Sequence, residues 1–457
     1  MTSCFGKKIF TSHFLAIFLL VSLNCLGNFT FEKNARALFS KNQLDLSLAK
    51  YKRAIELSPE STHLKFEYGN ALFLNGQFEE AKQVFNGILF LNPTHYESLI
   101  KIGDICVEKN NVSDAIAIFE NLKSFIPDNA NLHYSLAQAY LATGEYKKGF
   151  EEYEWRKKLY PIKDDNLNIP DWNGESLEGQ TLLIYTEMGF GDIVQFGARY
   201  ALKAKAKGAK VILRLHNPRL KEILSKACPY IEEITTIDEP TPHADYKVRL
   251  MSLMKHFGTT VDDIPKAKSY IYPDKTAFFK WKEFFKNDQN IKIGLCWKGA
   301  SYPSPEQHFF TKKRSFPLEI FAPLKNIDGI SLYCLDSTIS EKDLETGVDG
   351  FVVKKLPTED KPYIDTVEII ANLDIIITID TSIAHMAGAL GVPTWVLLPS
   401  SADWRWFADE RRTSPWYQNT ILFRQSTIGD WTHPIINIIE TIEQLIELKT
   451  TRDKTLE

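Results

Sequence analysis

Cysteine is scarce. Six occur in 457 residues, and no two form a C-x-x-C pair. That excludes a disulfide scaffold. Cys106, Cys228, Cys296 and Cys334 stand in apolar surroundings and read as free core thiols, which favours a reducing compartment. No charge of one sign dominates. Lys+Arg is 54 against Asp+Glu 58, a net charge of -4, so nothing advertises a nucleic-acid partner. The local run Lys203, Lys205, Lys207, Lys210 is expected to be a solvated helix face. Repeated long apolar runs are also missing, which excludes a polytopic membrane protein. What remains is an ordinary globular mix, 44% hydrophobic and 25% charged, with length for about three domains.

The N-terminus differs from the rest. Lys7 and Lys8 precede the apolar run Phe14 to Val21, and Cys25-Leu26-Gly27 offers small residues for cleavage. With Ile9 and Leu26 included, the stretch approaches the ~20 residues of a membrane span. Signal peptide, signal anchor and a misassigned start codon all stay open for residues 1–27.

A repeat occupies residues 28–168. Pro59, Pro93, Pro127 and Pro161 recur at the 34-residue period of tetratricopeptide repeats. Other positions keep the same register. A small site early in the first helix holds Ala35, Gly69, Gly103 and Ala137. The turn holds Asn42, Gly76, Asn110 and Gly144, which tolerate a left-handed backbone. The second helix opens with Ser47, Ala81, Ala115 and Gly149 and carries a ring at Tyr51, Phe85, Phe119 and Tyr153. Four helix pairs are expected to stack, because no single pair can bury its own apolar face.

Beyond a polar linker at Lys163-Asp164-Asp165-Asn166, strand and helix signals alternate. Strands are expected at 181–185, 211–213, 291–297, 330–333, 374–379 and 394–398, with helices at 192–207 and 274–290. Alternation of this kind means parallel sheets with helical crossovers. The fold expected is α-helical repeats followed by two Rossmann-like α/β domains, 169–290 and 291–445, with a polar tail over 446–457.

Four motifs could carry chemistry. Glu187-Met188-Gly189-Phe190-Gly191-Asp192 lies between a strand and a helix, but Gly197 does not complete G-x-G-x-x-G. A carboxylate at that helix start suits a general base better than a phosphate cradle. A capping Asp is the plain alternative. Asp380-Thr381-Ser382-Ile383-Ala384-His385 is again strand, turn, helix. Its first amides offer an anion site, Asp380 could hold sugar hydroxyls, and His385 follows one turn on. A capped helix with a core His is the alternative. Lys312-Lys313-Arg314, with Lys298 upstream, is either solvated or a phosphate clamp. Five of the nine Trp lie between Trp395 and Trp431, either stacking on a base or sugar or packing an irregular region.

Together and in this order, these motifs resemble the bacterial tetratricopeptide-repeat proteins with a C-terminal glycosyltransferase family 9-like domain. Those are relatives of the lipopolysaccharide heptosyltransferases and similar in architecture to the O-linked N-acetylglucosamine transferases. The matching residues are Tyr153-Glu154-Trp155-Arg156, Trp172-Asn173-Gly174, Gly189 to Phe196, Arg199-Tyr200, Arg314-Ser315-Phe316-Pro317, Asp380 to His385, Trp404-Arg405-Trp406, Ser414 to Tyr417, Leu422 to Gln425 and Gly429-Asp430-Trp431. The resemblance implies a GT-B fold, with the donor bound mainly by the second Rossmann-like domain and the acceptor by the first. It implies Asp192 as the base, with Lys298, Arg314, Asp380, Thr381, Ser382, Ile383 and His385 on the donor. Two departures touch the donor's identity. Ser382 replaces a usual Gly, and Glu187-Met188 replaces a usual Glu-Gln.

The reading expected is a metal-independent, inverting transfer of a sugar from a nucleotide diphosphate to an acceptor hydroxyl. No cofactor is expected. A glycan, a lipid-linked molecule or a protein would be the acceptor, and the repeats would recruit it or a protein partner. A repeat scaffold with an inactive or merely ligand-binding transferase-like domain is the alternative. A dehydrogenase is disfavoured by the glycine spacing. Membrane contact through residues 9–26 is expected, with the catalytic part in the cytosol, where nucleotide sugars are kept. Export is the alternative, because Lys7 and Lys8 favour an internal N-terminus.

Overall fold

A helix pair closes tightly where a small residue lets a ring from the second helix reach the backbone of the first. The computed structural model, which describes residues 30–300, 304–358, 363 and 365–456, shows this at the expected register. The pairs are α1 (residues 30–40) with α2 (Leu44–Leu57), α3 (Thr62–Leu74) with α4 (Phe78–Leu91), α5 (Tyr96–Glu108) with α6 (Val112–Lys123), and α7 (Ala130–Ala142) with α8 (Tyr146–Tyr153). A Cβ on Gly69 would lie 2.6 Å from the Phe85 ring, and one on Gly103 would lie 2.3 Å from Phe119. Tyr51, Phe85, Phe119 and Tyr153 are all buried. At the turns, Asn42, Gly76, Asn110 and Gly144 have φ of 58°, 82°, 61° and 83°, the left-handed region that Gly and Asn enter most easily.

The chain divides into compact units at a different place from the repeat ends. Described residues up to Pro127, with Ala300–Lys313, form one unit, and Asp128–Gly299 with the residues from Arg314 onward form the other. The fourth helix pair therefore groups with the α/β part. Its own contacts explain this. Tyr146 of α8 packs its ring on Trp404, Phe407 and Trp416, and the Ala408 amide donates to Ala142 O at 2.9 Å.

In the second unit, α9 (Arg156–Leu159) leads to the first sheet, built from β1 (Thr181–Tyr185), β2 (Lys210–Leu215), β3 (Glu233–Thr236) and β4 (Tyr246–Arg249). Its helices are α10 (Phe190–Asp192), α11 (Arg199–Ala206), α12 (Lys221–Ala227) and α13 (Leu253–His256). All strands are parallel, in the order β3-β2-β1-β4. After α14 (Lys275–Phe285) comes the second sheet: β5 (Ile291–Cys296), β6 (Ile330–Cys334), β7 (Lys354–Lys355), β8 (Ile375–Ile379), β9 (Thr394–Leu398) and β10 (Thr420–Arg424). Its elements alternate with α15 (Pro305–Arg314), α16 (Thr366–Ala371) and α17 (Ser382–Leu390), and α18 (Thr432–Leu456) closes the chain. The order β10-β9-β8-β5-β6-β7, all parallel, is that of a doubly wound sheet. Helical repeats followed by two parallel α/β sheets are the architecture the sequence led us to expect.

Each sheet reverses its winding beside its first strand, between β1 and β4 and between β5 and β8. Ligands of such sheets bind at the carboxyl ends of the strands flanking that reversal. The glycine loop leaves β1 there, and the Asp380 loop leaves β8 there.

Three expectations need correction. Lys163-Asp164-Asp165-Asn166 is no free linker. Asp164 is buried against Arg214 at 3.2 Å, Asp165 pairs with Arg249 at 2.8 Å, and Lys247 donates to Asp165 O and Leu167 O. Cations on the sheet need partners, and this segment supplies them. Nor is 446–457 a tail, since α18 runs to Leu456. Ile435, Ile438, Ile442 and Ile446 recur at helical spacing and pack on the second sheet's core. The expected helix over 192–207 begins earlier, at Phe190, and takes a π-helical form over Ile193–Ala198. Residues 1–27, expected to be a targeting or anchoring segment, lie outside the described residues. Among the described residues, no helix is long and apolar enough to cross a membrane.

The packing at the small sites can be tested by urea unfolding. Gly103→Ala pushes a methyl group into the Phe119 ring and should destabilise by roughly 1–3 kcal/mol. Gly87, within α4, has no neighbour within 4 Å of its Cβ direction. Gly87→Ala should therefore stabilise by roughly 0.5–1 kcal/mol. A Gly103→Ala protein as stable as wild type would mean the ring does not sit there.

Candidate active site

The glycine loop starts from a buried ion cluster. Glu187 accepts from Arg156 Nη2 at 2.7 Å and from the Met251 amide at 3.0 Å, and pairs with Arg249 Nη1 at 3.2 Å. Both arginine side chains are fully buried. Arg156 also holds Glu154 at 2.8 Å. Burial alone would raise the Glu154 carboxyl, but Arg156 and Lys157 more than offset this and hold it at about 2. With its start so fixed, the chain passes Gly189 in extended form into α10, which ends at Asp192. The π-helical turn that follows is wholly buried. Such single π turns concentrate at functional sites.

The facing loop follows β8. Thr381 caps α17, and its hydroxyl lies 3.2 Å from that of Thr378 and 3.8 Å from Cys296 Sγ. The two loops meet at Gly191. A Cβ there would lie 2.6 Å from His385 Cδ2 and 3.4 Å from Ser382 Cα. Only glycine lets α10 come this near to α17.

Charge is concentrated at this meeting point. Asp192 Oδ1 accepts from Arg405 Nη2. Arg405 also donates to Asp403 at 2.7 Å and to Gln195 Oε1 at 3.0 Å, and its guanidinium lies over the Phe196 and Trp404 rings. Asp380 stands 3.8 Å from both Arg314 Nη1 and His385 Nε2. His385 Nδ1 is 2.9 Å from the Tyr417 hydroxyl, and its ring stacks on Trp406. Burial raises the Asp192 carboxyl above its usual range, and Arg405 only partly reverses this. Burial, aided by Arg405, lowers His385 to about 3, so its imidazole is neutral at pH 7.

The structure brings Asp192, Asp380, Thr381, Ser382, Ile383 and His385 together. The Ile383 side chain is buried, so that residue can offer a ligand only its backbone. Arg314 reaches the group through Asp380. Its Nε is buried with no hydrogen-bond partner among the described residues, as is Gln195 Nε2. Lys298 is exposed just past β5, and its charge acts on Asp343.

The basic run does not act as one clamp. Lys312 is exposed, and Lys313 turns to Glu108 of the repeats at 2.8 Å. Only Arg314 faces Asp380. The helical rotation of α15 separates the three cations. The tryptophans are no stacking platform either. Trp395, Trp404, Trp406, Trp416 and Trp431 are all buried, packed on other rings or the sheet core.

Sequence reasoning did not single out Arg405, Gln195, Asp403 or Tyr417. Arg405 had a signal. A lone cation between Trp404 and Trp406 implies a buried charge needing a carboxylate. Gln195 is the one polar residue in Ile193-Val194-Gln195-Phe196, a weak mark. Tyr417 stood only inside the matching run Ser414 to Tyr417, with no role attached, and Asp403 had no signal. Among the described residues, one acid and imidazole group, Glu32, His63 and Glu67, has the spacing to hold a cation. Arg36 already takes it, at 2.7 Å from Glu32 and 2.8 Å from Glu67.

Known proteins agree with the first part of this chain. The family model described as tetratricopeptide repeat matches residues 38–102 and again residues 100–154. Residues 38–154 are tetratricopeptide repeats. Over 327 residues the chain is 24% identical to protein FlbA of Caulobacter vibrioides, covering 66% of this chain and 53% of FlbA. It is 28% identical over 131 residues to BBSome complex member BBS4 of Bos taurus, covering 29% of this chain and 25% of BBS4. The chain thus spans about half the length of FlbA and a quarter of BBS4. Among solved structures it is similar to a family 9 glycosyl transferase from Veillonella parvula, with 13% identity and a TM-score of 0.41, over 56% of this chain and 88% of that one. It is also similar to the E. coli ADP-heptose lipopolysaccharide heptosyltransferase II, with 16% identity and a TM-score of 0.40, over 59% and 99%.

His385 makes stability depend on pH. The unfolded imidazole takes its proton near 6.5 and the folded one near 3. Between those values the unfolded chain binds more protons, so stability is full above 6.5 and declines as pH falls toward 3. Urea midpoints measured from pH 7 to pH 4 should fall, and should fall less steeply in His385→Gln. Equal slopes would show that the ring is not held neutral by burial.

Proposed function

We propose that the α/β part is an inverting glycosyltransferase of GT-B type, acting on a nucleotide diphosphate sugar. The observation that carries the reading is the meeting of the two loops at Gly191. It sets a carboxylate from the first sheet beside a helix start, a buried neutral imidazole and an orphaned arginine donor from the second. The ordered motifs of the sequence point the same way.

In this reading Asp192 removes the proton of an acceptor hydroxyl as that oxygen attacks the anomeric carbon. Its raised pKa suits a base that must also release the proton. Its ion pair with Arg405 would open to admit the acceptor, leaving Arg405 with Asp403. The bond from the anomeric carbon to the diphosphate breaks, and the departing oxygens gain charge. Arg314, Lys298 and the free amides at the start of α17 would take up that charge. These groups neutralise the leaving group without a divalent metal. Asp380 would hold sugar hydroxyls, and neutral His385 would lend a hydrogen bond rather than a charge. The acceptor would be a glycan, a lipid-linked molecule or a protein, with the repeats recruiting it or a protein partner. Residues 9–26 would hold the protein at a membrane, with the transferase in the cytosol. The second reading, a repeat scaffold with a domain that only binds a ligand, is favoured by one observation: the candidate base is already engaged by Arg405.

Three measurements separate these readings. A thermal-shift panel of nucleotide sugars should find a ligand that stabilises by about 2.7 kcal/mol at 100 times its dissociation constant. With that donor, Asp192→Asn should lower turnover roughly 10²–10⁴-fold while donor affinity stays nearly unchanged. Turnover equal to wild type would remove Asp192 from the chemistry, and absence of turnover in both would favour the scaffold. By calorimetry, Arg314→Ala should weaken the nucleoside diphosphate far more than the nucleoside. Equal losses would place Arg314 away from the phosphates.

A further inference from the structure

Phe407, the residue after the Trp404-Arg405-Trp406 turn, has φ 62° and ψ 161°. That region is open almost only to glycine and is unfavourable for any side chain. Asn42 and Asn110 also have positive φ, but they stand at repeat turns, and Asn tolerates it. A buried phenylalanine does not. Such a backbone persists only where its surroundings over-determine it, and here they do. Arg424 at the end of β10 donates from Nη2 to both Trp406 O and Phe407 O, each at 2.8 Å. The Arg411 guanidinium lies 3.5 Å from the centre of the Phe407 ring, and Asp409 holds Arg411 at 2.6 Å. Tyr146 of α8 stacks on the same ring at 5.8 Å. The next amide, that of Ala408, is fixed on Ala142 O.

The turn so held sends each side chain a different way. Trp404 packs on Phe196, and Trp406 stacks on His385. Arg405 crosses to the glycine loop and donates to Asp192 Oδ1 and Gln195 Oε1. Asp403 braces it, accepting from its amide at 3.0 Å and from its Nη1 at 2.7 Å. With Ala408 anchored, a change of φ at Phe407 swings the turn and re-aims Arg405.

We propose that Phe407 is a positioning residue whose strained backbone aims Arg405 at Asp192. Its bearing on sugar transfer rests on the reading of Asp192 as the base. The charged and titratable groups around Asp192 are Arg405 and Asp403 from the turn, Asp380 and His385 from the facing loop, and Arg314 behind Asp380. Burial raises the Asp192 carboxyl, Arg405 pulls it back down, and Asp403 and Asp380 push it further up. When the turn relaxes and Arg405 swings away, Asp192 therefore takes up its proton at higher pH.

The test compares two substitutions in the full chain. Both remove the ring, but Phe407→Ala keeps the backbone strained and Phe407→Gly does not. Where φ is ordinary, alanine is the more stable of the two. Here the order should reverse, with the higher urea midpoint in Phe407→Gly. The titration of Asp192 is read from the carboxyl carbon NMR signal that Asp192→Asn removes from aspartate-labelled protein. It should shift to higher pH in Phe407→Ala, stay nearer wild type in Phe407→Gly, and move no further when Phe407→Ala is added to Arg405→Gln. Mere loss of ring packing would affect both variants alike. An alanine midpoint at or above that of glycine, an unmoved Asp192, or a further shift in the double variant overturns the proposal. If Phe407→Ala does not fold, Arg424→Met takes its place, because it removes the donor shared by the two turn carbonyls. It should shift Asp192 upward, and no shift overturns the proposal. The acid limb of kcat/KM should follow the titration. A titration that shifts while wild type shows no turnover fails the transferase reading and leaves this one standing. Turnover with an unmoved titration does the opposite.

Discussion

Everything at the candidate site stands on the carboxylate of Glu187, closed between Arg156 and Arg249. Both cations are fully buried. Removing one member of such a cluster leaves an uncompensated charge in the interior, at a cost of about 3–5 kcal/mol. Arg156 follows the last repeat helix, Arg249 ends β4, and Glu187 begins the glycine loop. One carboxylate thus joins the fourth repeat, the first sheet and the approach to Asp192. The fourth helix pair groups with the α/β part for this reason as much as for its aromatic packing.

A second set of contacts binds the two α/β sheets into one body. Arg199 donates to Gln195 O, Pro265 O, the Tyr270 hydroxyl and Trp416 O. Tyr270 returns its amide to Ala389 O at 2.9 Å. Arg405 crosses from the second sheet to Asp192 and Gln195 on the first. The rings of Phe196, Trp404, Trp416 and Tyr146 shield these polar groups from water. Burial of this kind disfavours the charged form of each group, which is why the Asp192 carboxyl is raised and the His385 imidazole lowered from their usual titration. The tryptophans serve the site by excluding solvent around it.

The sequence by itself determined the local pattern. The 34-residue register named the ring positions and small sites of all four helix pairs, because each is repeated by the same packing need. Apolar runs such as Ile375–Ile379 declared buried parallel strands. The glycine loop and the Asp380 loop were legible because strand, turn and helix are encoded within a dozen residues. What local pattern could not show was which charge answers which. Arg405 meets Asp192 across 213 positions, and Lys313 leaves its neighbour Arg314 to meet Glu108 across 205. Asp164 and Asp165 look like linker residues until the strands present Arg214 and Arg249 to them. An ion pair is set by distance in space, and the chain carries no local record of its partner. Tertiary structure alone therefore decided which cations reach the site, which tryptophans are buried, and that α15 belongs to the repeats.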